Sequence, residues 1–289
     1  MNNEVLIAPS LLAADPLNFL LESKSAEESG ADMHHVDVMD GHFVPNLTFG
    51  IPFVKALKKV STIPLDVHVM ISNPDEMVME YVKAGADYMV FHVEAATHAH
   101  RLMQVISQEG AKPGLAINPG TPLASIEPLL EYSKMINVMS VNPGFGGQKF
   151  IKSSLKRIET LRDLIDKNSY DCHIQVDGGV NAETVDAVRS AGASVLVAGT
   201  AVYGKEDRKA AIDMLKPYWN GIFVPTASVE RLSEALHWFH RHEERLAAMS
   251  ENARKAAEPY SASAWATRWS EMLTRLVSRQ DSATARRAA

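Results

Sequence analysis

Two histidines and two aspartates could together do chemistry in this chain. They are His35 and Asp37 in "MHHVDVM" (33–39), His68 in "LDVHVM" (65–70) and Asp177 in "VDGGV" (176–180). Each belongs to a short run of strand-forming residues. Along an extended chain, side chains alternate between faces, so His35, Asp37 and Met39 share one side while His34, Val36 and Val38 take the other. Only one of the adjacent histidines can therefore face the same way as Asp37. His68 is read as closing the third run and Asp177 the seventh. Alone, His35 or His68 reads as a hydrogen-bonded core or loop histidine. Two imidazoles and two carboxylates converging from three strands instead form a mixed nitrogen and oxygen site for one divalent transition metal, Zn, Mn, Fe or Co. His92 and Glu94, at the end of "DYMVFHVE" (87–94), are reserve ligands; a place behind the ligands or against a substrate is their better reading. His34 and His42 miss the site's parity or position. His98, His100, His237, His240 and His242 read as surface residues.

Glycines carry a second signal. "NPGFGGQ" (142–148) follows the sixth run, "DGG" (177–179) closes the seventh and "AGT" (198–200) closes the eighth. One such loop reads as a tight turn. Three in succession bring backbone N–H groups close enough to hold an anion, and barrels often bind phosphate at their last loops. The expected ligand is a small phosphorylated molecule with its reactive end near the metal.

The elements that must position these groups are legible from patterning. Strand-like runs lie at 4–12, 33–39, 65–70, 87–94, 112–118, 135–141, 173–179 and 194–200, with helical stretches between them such as 16–30 and 153–168. Eight strand–helix units predict an α/β fold, a parallel sheet closed as a (β/α)8 TIM barrel, with reactive groups where strands end. An open doubly wound sheet usually has five or six strands, and no GxGxxG opens a helix after the first strand, so no organic cofactor is expected.

Bulk properties narrow the class. The chain of 289 residues has room for a barrel and an appendage. A net charge of −6 offers no electrostatic reason to bind nucleic acid or an anionic membrane. No basic flank precedes an apolar run at the N-terminus, and no window approaches the roughly 18 apolar residues of a membrane span. The single cysteine, Cys172, excludes an internal disulfide and fits a reducing compartment, so a soluble cytoplasmic protein is expected.

Composition breaks near 216–220. All four tryptophans follow that point, and basic residues change from 14 Lys and 5 Arg up to Lys216 to 1 Lys and 9 Arg beyond it. That partition sets a barrel domain over 1–216 apart from a helical extension over 217–279 and a frayed tail over 280–289. Within the extension, 228–258 reads as a long amphipathic helix, and Trp265, Trp269, Met272 and Leu276 share one face of another.

"APSLLAAD", "HVDVMDGHFVPNLTFG", "DVHVM", "MSVNPGFGGQ", "VDGGV" and "AGTAVY" together resemble the motif set of ribulose-phosphate 3-epimerases, over about residues 4–216. The resemblance implies a ribulose-phosphate-binding barrel that interconverts D-ribulose 5-phosphate and D-xylulose 5-phosphate in the pentose phosphate pathway. It implies His35, Asp37, His68 and Asp177 as metal ligands and the two aspartates as the acid–base pair. Ser10, His68 and Asp177 would contact substrate, while Gly144, Phe145, Gly146, Gly147, Gly178, Gly179, Gly199 and Thr200 would cradle it at the phosphate end. Met39, Met70 and Met139 match methionines that line the family's reaction centre, although core packing accounts for them equally well. The implied partner is a small sugar phosphate and the implied assembly a homo-oligomer. Alternatives are a 3-epimerase of a hexulose or heptulose phosphate, and a catalytically silent barrel serving as a binding scaffold. The second conflicts with four ionisable groups, costly to bury, in a barrel mouth. The segment after about 220 resembles the end of retaining glycosyltransferases with two Rossmann-like domains. It includes none of their donor- or acceptor-binding regions, so a sugar-transfer activity beside the epimerase is improbable and a fused remnant is implied.

Overall fold

The hydrophobic runs form eight parallel strands: β1 (Leu6–Pro9), β2 (His34–Met39), β3 (Leu65–Met70), β4 (Tyr88–His92), β5 (Lys112–Ile117), β6 (Met135–Met139), β7 (His173–Asp177) and β8 (Val195–Ala198). The computed structural model describes residues 5–216, with Ser250 and Arg254. The chain divides into two units, Met1–Pro217 and Tyr218–Ala289, and the barrel is the first. The extension and tail expected over 217–289, with His237, His240 and His242, lie outside the described residues apart from those two positions. Among the described residues no helix is long and apolar enough to cross a membrane.

Each strand pairs with its neighbour in the order β1-β8-β7-β6-β5-β4-β3-β2, and a bridge between Ser10 and His35 joins the two ends into a barrel. β2, β3, β4 and β6 are buried at every position, as expected for strands with helices outside and packed side chains inside. The outer layer comprises α1 (Phe19–Glu28), α2 (Ile51–Val60), α3 (Pro74–Ala84), α4 (Ala99–Gln108), α5 (Ser154–Asn168), α6 (Val185–Ser190), α7 (Thr200–Tyr203) and α8 (Arg208–Leu215). Proline in the first turn of α2 and α3 suits a position whose N–H has no helical partner. Gly85 ends α3 at φ +115°, a left-handed conformation that a side chain would strain. Arg208 of α8 makes an ion pair with both carboxylate oxygens of Glu22 of α1 at 2.8 and 2.7 Å, tying α8 to α1.

Three local features differ from the sequence reading. The run at 4–12 stops being a strand at Pro9; Leu11–Ala13 is a 3-10 turn capped by the Ser10 hydroxyl, which accepts from Leu12 N. The crossover after β5 is a pair of 3-10 turns, Leu123–Ser125 and Glu127–Tyr132, with Pro122 and Pro128 at their starts breaking any longer helix. His68 does not close β3, which runs two residues further to Met70.

Inside the barrel Ala8, Met33, Tyr88, Val90, Ala116, Met135, Val195 and Val197 make an apolar cluster. Gly114 of β5 packs against two of them: a Cβ there would sit 2.8 Å from Val90 Cγ2 and 3.1 Å from the Met135 carbonyl oxygen. Gly114→Ala is therefore expected to destabilise the barrel by about 1–3 kcal/mol, the usual cost of overpacking. A urea unfolding midpoint indistinguishable from that of the unmodified protein would refute this account of the interior.

Candidate active site

The register of β2 against β3 stacks the polar residues in rungs. His35 pairs with Asp66, Asp37 with His68, and Met39 with Met70. On the other side of the barrel Asp177 ends β7 beside Met139 of β6. These rungs carry one donor atom each from His35, Asp37, His68 and Asp177 to within 4.8 Å of one another. His35 Nε2 lies 3.2 Å from Asp37 Oδ1 and 3.7 Å from Asp177 Oδ2; His68 Nδ1 lies 3.4 and 3.5 Å from the same two oxygens. A tetrahedron with arms of about 2.1 Å has edges of about 3.4 Å, and these four imidazole–carboxylate spacings lie close to that value. His68 Nδ1 is buried without a hydrogen-bond partner in the protein, aimed at the centre of the group. The donor set fits a divalent cation.

Electrostatics agree with the geometry. Burial alone would lower the affinity of His35 for a proton, yet the Asp37 and Asp66 carboxylates raise its pKa well above the ordinary value. His68 is raised too, against burial, by Asp177 and Asp37. Burial opposes ionisation of Asp37 and Asp177, but the two imidazoles hold both carboxyls below their usual range. Two ionised carboxylates thus draw positive charge into a closed space, the charge that a bound dication would supply while displacing the imidazole protons.

Each donor is held from behind. His35 Nδ1 lies 2.6 Å from Asp66 Oδ2, and Gln175 Nε2 donates to the same oxygen. His68 Nε2 lies 3.0 Å from His92 Nε2, and His92 Nδ1 lies 3.0 Å from Glu94 Oε2. Burial pushes His92 down to about 4, while the His92 and Thr121 hydrogen bonds outweigh burial at Glu94 and hold it at about 2. Ser10 Oγ donates to Asp37 Oδ2 at 2.5 Å, leaving Oδ1 to the histidines. Ser140 N donates to the Asp177 carbonyl at 2.8 Å, and its hydroxyl lies 2.6 Å from the Gly178 carbonyl, clamping the end of β7 onto β6. Asp66, Gln175 and Ser140 are not among the residues singled out from sequence. Parity could have found two of them, since Asp66 lies two residues before His68 and Gln175 two before Asp177.

The other expected residues fall as follows. Met39, Met70 and Met139 are buried, the first two in a cluster with Val44 beyond the Asp37–His68 rung. Gly178 and Gly179 both have positive φ; Cβ atoms there would lie 2.4 Å from Val141 Cγ2 and 2.6 Å from Phe150 N, so packing and backbone both demand glycine. Gly144 and Gly147 also have positive φ, whereas Gly146 has an ordinary φ and nothing within 4 Å of a Cβ. Phe145 is 55% exposed. Gly199 caps the short α7, whose first residue is Thr200. Asn46 Nδ2 donates to the Gly144 carbonyl at 2.9 Å, joining the loop after β2 to the glycine loop after β6. His34 faces outward and is buried against Glu27 at 3.1 Å, while His42, His98 and His100 are exposed. His92 and Glu94 supply no donor to the four-atom group.

Comparison with known proteins identifies the family. The ribulose-phosphate 3 epimerase family model matches residues 6–203. The chain is 48% identical over 213 residues to a ribulose-phosphate 3-epimerase of Bacillus subtilis, covering 73% of this chain and 98% of the relative. It is 46% identical over 212 residues to one of Methanocaldococcus jannaschii, covering 73% and 90%. Among solved structures, a 3-hexulose-6-phosphate synthase shares the fold, with a TM-score of 0.51 at 22% identity over 73% of this chain and 97% of that one. The family match spans all eight strands and the four converging side chains, and the chain belongs to the ribulose-phosphate 3 epimerase family.

Proposed function

We propose that this protein is a metal-dependent ribulose-phosphate 3-epimerase that interconverts D-ribulose 5-phosphate and D-xylulose 5-phosphate. The observation that supports this most strongly is the pair of aspartates, Asp37 on β2 and Asp177 on β7, each within 3.2–3.7 Å of the same two imidazoles. Inverting C3 of a 2-ketose means removing a proton beside the carbonyl and returning one to the opposite face. Two carboxylates on separate strands can flank a planar enediolate, one on each face, one taking the proton as the other gives.

His35, Asp37, His68 and Asp177 would hold the metal, which when bound supplies Lewis-acid stabilisation of negative charge at the C2 and C3 oxygens. Ser10, bonded to the second oxygen of Asp37, orients that carboxylate and is assigned a substrate contact. Met39, Met70 and Met139 wall the reaction centre with polarisable, apolar surface that excludes water. Gly144, Phe145, Gly146, Gly147, Gly178, Gly179, Gly199 and Thr200 form the loops that follow β6, β7 and β8, and their backbone N–H groups are assigned to the phosphate. Gly146 favours that assignment because nothing in the protein itself requires glycine there.

Two outcomes are expected. Followed by proton NMR in D2O, the metal-loaded protein incorporates deuterium at C3 of ribulose 5-phosphate as xylulose 5-phosphate forms, and a chelator stops both; exchange that survives complete metal removal would refute the metal's role. Asp37→Asn and Asp177→Asn each keep a folded barrel and lower kcat by about 10²–10⁴-fold, the range for loss of a general acid or base. Turnover within threefold of the unmodified enzyme in either variant would remove that aspartate from the mechanism.

A further inference from the structure

The two imidazoles of the cluster are backed differently. His35 Nδ1 meets the Asp66 carboxylate directly at 2.6 Å, so Nδ1 keeps its proton, and Nε2, on the side of Asp37 and Asp177, is the nitrogen that would give its lone pair to an ion. His68 faces the aspartates through the other ring nitrogen, Nδ1, and behind it stands a second imidazole instead of a carboxylate. A ring nitrogen facing another can donate or accept, so this contact alone leaves the proton undetermined. The next link decides it. His92 Nδ1 lies 3.0 Å from Glu94 Oε2, and a carboxylate only accepts. The proton of His92 therefore sits on Nδ1, its Nε2 is an acceptor, and His68 must donate through Nε2–H.

The far end of this chain is fixed. Glu94 Oε1 accepts from Asn118 N at 2.7 Å and from the Thr121 hydroxyl, and Arg157 donates to the Pro119 and Thr121 carbonyls at 3.1 and 2.6 Å. The His92 ring is fully buried and packs on Phe43, 4.7 Å between centroids, so it cannot easily rotate.

We propose that His92 is a positioning residue for the metal site: directed by Glu94, it holds His68 in the tautomer whose Nδ1 lone pair faces Asp37 and Asp177. This rests on the reading that the four-residue cluster binds a divalent ion. Partners behind metal-bound imidazoles contribute to affinity by fixing ring and tautomer, and their loss typically weakens binding by about 10- to 100-fold.

The test measures zinc and cobalt affinity of the full-length protein by competition with a chelator. His92→Phe keeps the ring and removes the acceptor, and is expected to weaken both metals about 10- to 100-fold. His92→Gln restores an acceptor near the lost Nε2 and is expected to recover most of that loss, which a role in packing alone would not produce. Equal affinity in His92→Phe and the unmodified protein, with tight binding in both, overturns the inference and leaves the metal reading intact. Failure of the unmodified protein to bind either metal overturns both. Should His92→Phe not fold, nitrogen-15 NMR of histidine-labelled, zinc-loaded unmodified protein decides. Its His92 should be protonated at Nδ1 and bare at Nε2, and a proton on His92 Nε2 overturns the inference.

Discussion

The in-register pairing of β2 with β3 is the constraint on which the site depends. It sets His35 beside Asp66, Asp37 beside His68 and Met39 beside Met70, so support, ligands and apolar wall occupy successive inward rungs. Because side chains alternate along a strand, a one-residue slip of β2 would turn His35, Asp37 and Met39 outward and leave His34, Val36 and Val38 inside, and a slip of β3 would exchange Asp66, His68 and Met70 for Leu65, Val67 and Val69. The outward residues prevent either slip. Val36, Val38, Leu65, Val67 and Val69 are buried in the layer beneath the helices, and His34 reaches Glu27 of α1. The hydrophobic effect on one face of the sheet thereby fixes the chemistry on the other.

Holding four ionisable groups in a closed barrel mouth would ordinarily be prohibitive. Here three of the four have a supporting partner behind them, Asp66 for His35, Ser10 for Asp37 and His92 for His68, while Ser140 grips the backbone of Asp177. An apolar cluster fills the interior beside them, and the loops that follow β2 and β3 are cross-tied. Asp40 accepts from Ser72 N and Oγ at 2.7 Å each and from His42 N and Phe43 N, while Thr48 bonds both the Asp37 carbonyl and Met39 N. Rigid elements thus carry the reacting groups.

Eight hydrophobic runs, separated by amphipathic stretches, were enough to read an eight-stranded barrel, and strand parity was enough to separate His35 from His34. The ends of elements were less legible. Nothing local distinguishes residues 10–12 from a continuing strand, and the Ser10 cap that turns the chain there is a contact made after folding. The loss of a helix after β5 follows from two prolines six residues apart, a signal present in the sequence but weaker than the overall repeat.

The sequence by itself determined the fold class, the family and the four residues that converge, because these rest on residue type, periodicity and motif, all local along the chain. Tertiary structure decided which groups stand behind those four. Asp66 and Gln175 lie 109 residues apart yet share a hydrogen bond, and His92 approaches His68 across 24 residues. Whether a buried histidine is a ligand, a support or a filler depends on which atom of which strand faces each ring nitrogen. That is settled by strand register and barrel closure, both of which are set by packing across the whole fold.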